Sequence, residues 1–329
     1  MGLTVQSTSA KASRNFRFAD SEILVALAGN PNVGKSTVFN ELTGLNQHTG
    51  NWPGKTVALA KGTARHQETD YTLVDLPGTY SLIANSAEEA IASEFICFQK
   101  PAVTIVVCDA TALQRNLNLV LQILQMTANV VVCVNLMDEA QKKNITLDLE
   151  KIEIDLEKLS ELLQVPVVAA SARSHQGLDA LMDAVAQLTE HPRTQIACLD
   201  YPFVIQNELD RLRGQLRMLD PAYDIPWIAL QILNNPESTL KSLYESTSLS
   251  QADIETLHSL ALRSRKVLDQ AYKNDRWPDQ LIQCPVQQAQ QLAEQTVTMN
   301  EAEAMKRDRQ IDRILFSRWA GIPLMILLL

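Results

Sequence analysis

The sequence predicts an α/β fold, a mostly parallel six-stranded sheet with helices on both faces, followed by an all-helical small domain. Three observations carry that expectation. Short β-branched runs alternate with helical patterns from Glu22 to about Leu188, two neighbouring strand-like runs have no helical pattern between them, and strand-like runs cease after Pro192.

The expected strands are Ile23–Ala28, Thr56–Ala64, Tyr71–Asp75, Val103–Cys108, Val130–Asn135 and Pro166–Ala170, short runs that read as strands by composition. Helical spacing runs through residues 35–43, 87–98, 115–127, 148–164 and 177–189. Strands alternating with helices pair in parallel, because the helix carries the chain back across the sheet. Only His66–Asp70 separates the second run from the third, so that pair is expected as an antiparallel hairpin. Beyond Pro192, helical spacing at 203–218, 250–273 and 285–307 is broken by Pro221, Pro226, Pro236 and Pro278. The domain division that follows is a flexible arm at 1–21, an α/β domain at 22–190, a helical domain at 191–310 and, at 311–329, the truncated start of a membrane-spanning segment.

Composition narrows the function classes. In 329 residues, 46% apolar content is enough to give two domains a core, which excludes a disordered chain. A formal net charge of -9 argues against the clustered Lys and Arg that displace counterions from nucleic acid, so no nucleic-acid partner is expected. Cys97, Cys108, Cys133, Cys198 and Cys284 are widely spaced, as reduced core residues are, and no pair has zinc-site spacing. Residues 1–21 lack an apolar signal core and a Ser or Thr at the sixth position, so neither a secretory signal nor a myristoylation site is expected. Trp319–Leu329 is apolar throughout but shorter than the about 20 residues of a membrane span. Lys306, Arg307, Arg309, Arg313 and Arg318 lie just upstream, where basic residues mark a cytoplasmic flank, so a first transmembrane helix is expected to begin here.

Four motifs carry the chemistry. Gly29-Asn30-Pro31-Asn32-Val33-Gly34-Lys35-Ser36 follows an apolar strand and opens a helix at Thr37, the context of a phosphate-binding loop. Gly29 and Gly34 let the backbone wrap a phosphate, and the helix-start N–H groups supply a fixed positive field for it. Lys35 is expected on the β- and γ-phosphates and the Ser36 hydroxyl on Mg2+. Asp75-Leu76-Pro77-Gly78 closes the next apolar strand. Asp75 then emerges on the phosphate side to hold a Mg2+ water, and Gly78 offers its N–H to the γ-phosphate. Asn135-Leu136-Met137-Asp138 ends a third strand. Asp138 there accepts from N1–H and the 2-amino group of guanine, a pair that adenine does not present, while Asn135 ties the base loop to the phosphate loop. Leu136 stands where the usual pattern has a lysine whose stem covers the base. Ser171-Ala172-Arg173 follows the last strand, where backbone N–H groups meet the guanine O6.

Together these elements resemble the Ras-like class of P-loop GTPases. Gly50-Asn51-Trp52-Pro53-Gly54-Lys55-Thr56, between the first helix and the second strand, is similar to the switch I segment of the bacterial ferrous-iron transport family FeoB. The resemblance extends through Asp75–Ser81 and Asp109-Ala110-Thr111, and resumes at Asp312–Pro323, which looks like the approach to the family's first membrane helix. It implies a GTPase domain at 22–190, a regulatory spacer at 191–310, GTP/GDP and Mg2+ as ligands, and iron ligands in a membrane pore outside these residues. Thr56 is implied as the switch I residue that completes Mg2+ coordination when a γ-phosphate is present. Asn32 resembles the asparagine that holds K+ in potassium-activated members, with backbone carbonyls of Gly50 and Trp52 as further ligands. Asn32, Lys35, Thr56 and Gly78 thus form the implied hydrolytic set. Thr79 and Tyr80 follow Gly78 where a Ras-type enzyme places a water-orienting glutamine, so hydrolysis is expected to be slow and faster in K+ than in Na+. Small cytoplasmic regulatory proteins and self-association are implied as partners. The same motifs also fit a soluble ribosome-assembly or tRNA-modification GTPase, or a switch whose output is a bound partner.

Overall fold

The computed structural model describes residues 22–44, 47–51, 58–83, 86–137, 151–223, 225–272 and 276–300. Seven strands form one sheet: β1 (Ile23–Gly29), β2 (Gln47–Asn51), β3 (Ala58–His66), β4 (Thr69–Asp75), β5 (Val103–Asp109), β6 (Val130–Asn135) and β8 (Val167–Ala169), in the order β2-β3-β4-β1-β5-β6-β8. Pairs β1–β4, β1–β5, β5–β6 and β6–β8 are parallel. The expected hairpin is β3–β4, antiparallel from Ala60 opposite Asp75 to His66 opposite Thr69. The mostly parallel sheet is therefore as expected, extended at its edge by β2, antiparallel to β3. Gln47-His48-Thr49-Gly50-Asn51 has no apolar alternation to announce a strand; it is held by its pairing at the edge.

The central strands are buried on both faces and read as continuous apolar runs for that reason. Alternation along β1 sends Val25 and Leu27 into one layer with Leu73, Ile105, Val107 and Val131, covered by α1 (Lys35–Thr43) and α5 (Leu178–Glu190). It sends Leu24, Ala26 and Ala28 into the other layer with Val74, Val106 and Val132, covered by α2 (Ala87–Glu94) and α3 (Leu113–Leu124). Each such Leu or Val contributes about 1.5–3 kcal/mol on full burial.

That second layer continues into α6 (Phe203–Leu219), α7 (Pro226–Asn234), α8 (Pro236–Ser246), α9 (Gln251–Ala271) and α10 (Trp277–Thr296). Leu212, Trp227, Leu243, Leu268 and Leu281 share one apolar cluster with Leu24 and Leu117. Two helices here were read only as proline breaks in the sequence. Pro226 and Pro236 instead open α7 and α8, where the first-turn N–H that proline lacks has no helical partner to lose. Pro285 lies inside α10, which runs from Trp277 to Thr296 where helical spacing was expected over 285–307, and residues 301–307 lie outside the described residues.

Two local expectations are corrected. The helix expected over 148–164 is a strand, β7 (Lys151–Ile154), followed by α4 (Leu156–Leu163), because the Asp155 carboxylate accepts from the Lys158 N–H at 2.9 Å and starts the helix there. Strands also do not cease after Pro192: β9 (Val297–Asn300) pairs antiparallel with β7. The partners lie far apart in sequence, so local periodicity reveals neither. Residues 1–21 and 311–329 lie outside the described residues, and no helix among the described ones is long and apolar enough to cross a membrane.

Candidate functional site

The loops after β1, β4, β6 and β8 emerge at the carboxyl ends of parallel strands, the side of an open α/β sheet where ligands bind. Sequence-expected residues from all four meet there.

In the loop after β1, Gly29 is pressed against the next strand: a β-carbon on it would lie 2.7 Å from the Val107 carbonyl oxygen. Asn32 and Gly34 take left-handed backbone, φ 67° and 81°. Gly34 is the N-cap of α1 and no side chain caps that end, so the first-turn N–H groups are available to an anion. Buried Lys35 pairs its ammonium with Asp75 Oδ1, and Ser36 Oγ lies 3.5 Å from Asp75 Oδ2. A lysine, a hydroxyl and a carboxylate thus converge beside the start of a helix.

The segment after β4 rests on this loop. Leu76 N–H donates to Leu27 O at 2.9 Å, Thr79 N–H donates to Gly29 O at 3.2 Å, and a β-carbon on Gly78 would touch Pro31 N at 3.3 Å. Asn30, at 2% exposure, is covered by this arrangement.

Asn135 joins the other two loops. Buried at the end of β6, it donates from Nδ2 to Val33 O at 3.1 Å and accepts from the Ala172 N–H at 3.1 Å. Beside it, Asn32, Gly34, Thr37, Leu136, Ala172 and Arg173 line a cleft of about 220 Å3. Leu136 has φ 61°. Ser171 is buried and bridged to Gln176. Met137 packs against the larger apolar cluster, with its N–H 3.4 Å from Ala170 O. Gly50 lies on β2 opposite Leu59. Trp52, Thr56 and Asp138 lie outside the described residues.

Sequence reasoning missed the supports behind the Asp75–Ile83 segment. Gln122 Oε1, buried on α3, accepts from the Leu82 N–H at 2.6 Å and from Ser81 Oγ at 3.2 Å. Arg115 stacks its guanidinium on the Tyr80 ring at 4.1 Å, and Asn118 Nδ2 donates to Tyr80 O at 3.3 Å. From α7, Gln231 Nε2 donates to Leu82 O at 3.2 Å and Asn234 Nδ2 to Ile83 O at 3.3 Å. The signal available in the sequence was the set of polar residues Gln114, Arg115, Asn116, Asn118 and Gln122 among the leucines of α3. The buried thiols nearby are inert: burial pushes Cys97 and Cys133 up to about 12 and raises Cys108 too.

Residues 23–185 match the family described as "Ferrous iron transport protein B". The chain is 31% identical over 309 residues to the Fe(2+) transporter FeoB of Salmonella typhimurium, and equally so to that of Escherichia coli K12, covering 93% of this chain and 37% of each relative. It therefore spans little more than a third of the length of these curated relatives. Among solved structures, the cytosolic domain of the T. maritima FeoB iron transporter in a GDP form is 31% identical, with TM-score 0.60 over 77% of this chain and 97% of that one. The cytosolic domain of L. pneumophila FeoB is 28% identical, with TM-score 0.67 over 84% and 99%. An S. thermophilus NFeoB variant bound to GDP is 26% identical, with TM-score 0.67 over the same shares. With its mostly parallel sheet, its phosphate-loop helix and these matches, the chain belongs to the FeoB family and spans that family's N-terminal P-loop GTPase region.

Proposed function

We propose that this chain binds GTP in preference to ATP and hydrolyses it slowly to GDP and phosphate. The observation that carries the reading is the double tie of Asn135, which brings the phosphate loop, with Lys35, Ser36 and Asp75, and the Ala172 loop around one cleft. Gly29 to Thr37 cradle the phosphates, with Lys35 transferring from Asp75 to the β- and γ-oxygens. Gly78 N–H meets the γ-phosphate. Asn135, Met137, Asp138 and Ser171 to Arg173 hold the base, Asp138 reading the guanine edge. GDP in the S. thermophilus and T. maritima relatives supports this choice of ligand.

The donor set fits Mg2+: a hydroxyl and a carboxylate 3.5 Å apart beside the lysine are hard oxygen ligands. Ser36 and Thr56 would hold it directly and Asp75 through a water, and when bound it neutralises charge on the phosphates. Asn32 with backbone carbonyls of Gly50 and Trp52 would hold K+, the substitute for the glutamine that Thr79 replaces. These roles follow the motif positions.

For the whole protein we propose ferrous-iron transport across the bacterial inner membrane. Residues 22–190 and 191–310 lie on the cytoplasmic face as GTPase domain and spacer, and 311–329 enter the membrane towards a pore. Switch segments at 45–56 and 76–90 would pass the nucleotide state to that pore, with small cytoplasmic proteins or self-association as further regulation. The named relatives are Fe(2+) transporters, which removes the ribosome-assembly and tRNA-modification alternative.

The test is phosphate release from GTP and from ATP, in KCl and then in NaCl. Turnover of GTP alone, faster in K+, is expected. Preference for ATP would overturn the base assignment, and equal rates in the two salts would overturn the K+ site.

A further inference from the structure

The Asn30 amide plays no part in the chemistry above beyond its place in the phosphate loop. Its side chain is 2% exposed, and both Oδ1 and Nδ2 are buried without a hydrogen-bond partner. Each unpaired buried group destabilises the fold several-fold in its folded-to-unfolded ratio, and an apolar side chain of the same shape would not carry that penalty. The position in the fold indicates what the amide is for. Leu24, Ala26 and Ala28 alternate onto the face of the sheet that holds Leu76, Leu82, Ala110 and Leu113, and Asn30 follows directly on the end of β1. The backbone of residues 76–79 packs against this loop: Thr79 N–H bonds Gly29 O, and a β-carbon on Gly78 would lie 3.6 Å from the Asn30 carbonyl carbon. An asparagine that merely closed its own loop would bond a neighbouring backbone group, and this one does not.

We propose that Asn30 is a positioning residue that couples the γ-phosphate to the segment after β4. When Gly78 turns its N–H to a γ-phosphate, the backbone of residues 76–79 pairs with Oδ1 and Nδ2 of Asn30; with a diphosphate it does not. The Asn30 side chain then favours the triphosphate-bound arrangement without itself touching the nucleotide, while its backbone stays part of the phosphate loop. The inference rests on the GTPase reading above.

The experiment compares the full chain with Asn30→Leu, Asn30→Ala and Asn30→Asp, measuring affinity for GDP and for a non-hydrolysable GTP analogue with Mg2+ present. For Asn30→Leu, affinity for the analogue falls roughly five- to tenfold more than affinity for GDP, the loss of one or two hydrogen bonds. Asn30→Asp, which keeps the acceptor, recovers part of the difference. Melting without nucleotide is expected at or above the wild-type temperature for Asn30→Leu. Should the leucine variant misfold, the alanine variant reads the same ratio. An unchanged ratio of the two affinities, or an equal fall in both, would overturn the inference while leaving the GTPase reading in place. A wild-type chain that binds neither guanine nucleotide would overturn both.

Discussion

The side-chain amide of Asn135 occupies the space that a β-carbon on Gly34 would need. The same amide bonds the Val33 carbonyl and receives the Ala172 N–H, so one asparagine fixes the phosphate loop against the loop that borders the base cleft. The glycine and the asparagine are therefore one device: the first leaves room for the second, and the second closes the site.

Gly34→Ala is expected to lower stability by about 1–2 kcal/mol through its left-handed φ alone, with more from the overlap, and to weaken guanine-nucleotide binding at least tenfold. Asn135→Ala removes two buried hydrogen bonds and is expected to cost about 2–3 kcal/mol. Because the overlap disappears with the amide, the double variant should be less damaged than the sum. Urea denaturation of all four proteins measures the coupling, and strict additivity would show that the two residues act separately.

Asp75→Asn leaves the largely buried Lys35 ammonium without its carboxylate and removes the charge expected to hold a Mg2+ water. Turnover of GTP should fall by about a hundredfold, roughly 2.7 kcal/mol, and the Mg2+ concentration for half-maximal rate should rise. A magnesium titration of phosphate release checks this. An unchanged magnesium midpoint would remove Asp75 from the metal site.

Gln122→Leu keeps the size of the side chain but leaves the Leu82 N–H and Ser81 hydroxyl without their acceptor. A stability loss of about 1–3 kcal/mol is expected, with faster hydrogen exchange concentrated at residues 81–83. Exchange mass spectrometry distinguishes that local effect from general loosening, which would accelerate exchange in β5 and β6 as well.

Burial raises Cys97 and Cys133 from the ordinary 9.0 to about 12, and raises Cys108 and Cys284 in the same direction. In the folded chain these thiols hold their protons at pH values where the unfolded chain has lost them. Stability is therefore full below about pH 9 and declines as pH rises from there towards 12. Denaturant midpoints at pH 8 and pH 10 test the slope. At pH 8, alkylation of the native chain should label exposed Cys198 first.

Much of this protein was legible along the chain because the determining physics is local. The β1 strand, the glycines of the phosphate loop and helix α1 sit within a few residues of one another, and the β3–β4 hairpin is set by a connection too short for a crossover. Lys35, Ser36 and Asp75 were placed by motif and do converge. The prolines misled where position within a helix decides their effect: Pro226 and Pro236 start helices instead of ending them.

The amino-acid sequence by itself determined the central strands of the sheet and the helices between most of them, the phosphate loop and the identity of the residues at the sheet's carboxyl edge, since these depend on periodicity and on short spacings. Only the tertiary structure decided that β2 joins the edge, that β7 finds β9, that Gln122, Gln231 and Asn234 hold the segment after β4, and that the Asn30 amide is buried without a partner. Each depends on a partner distant in sequence, or on burial created by packing, and neither leaves a periodic trace in the chain.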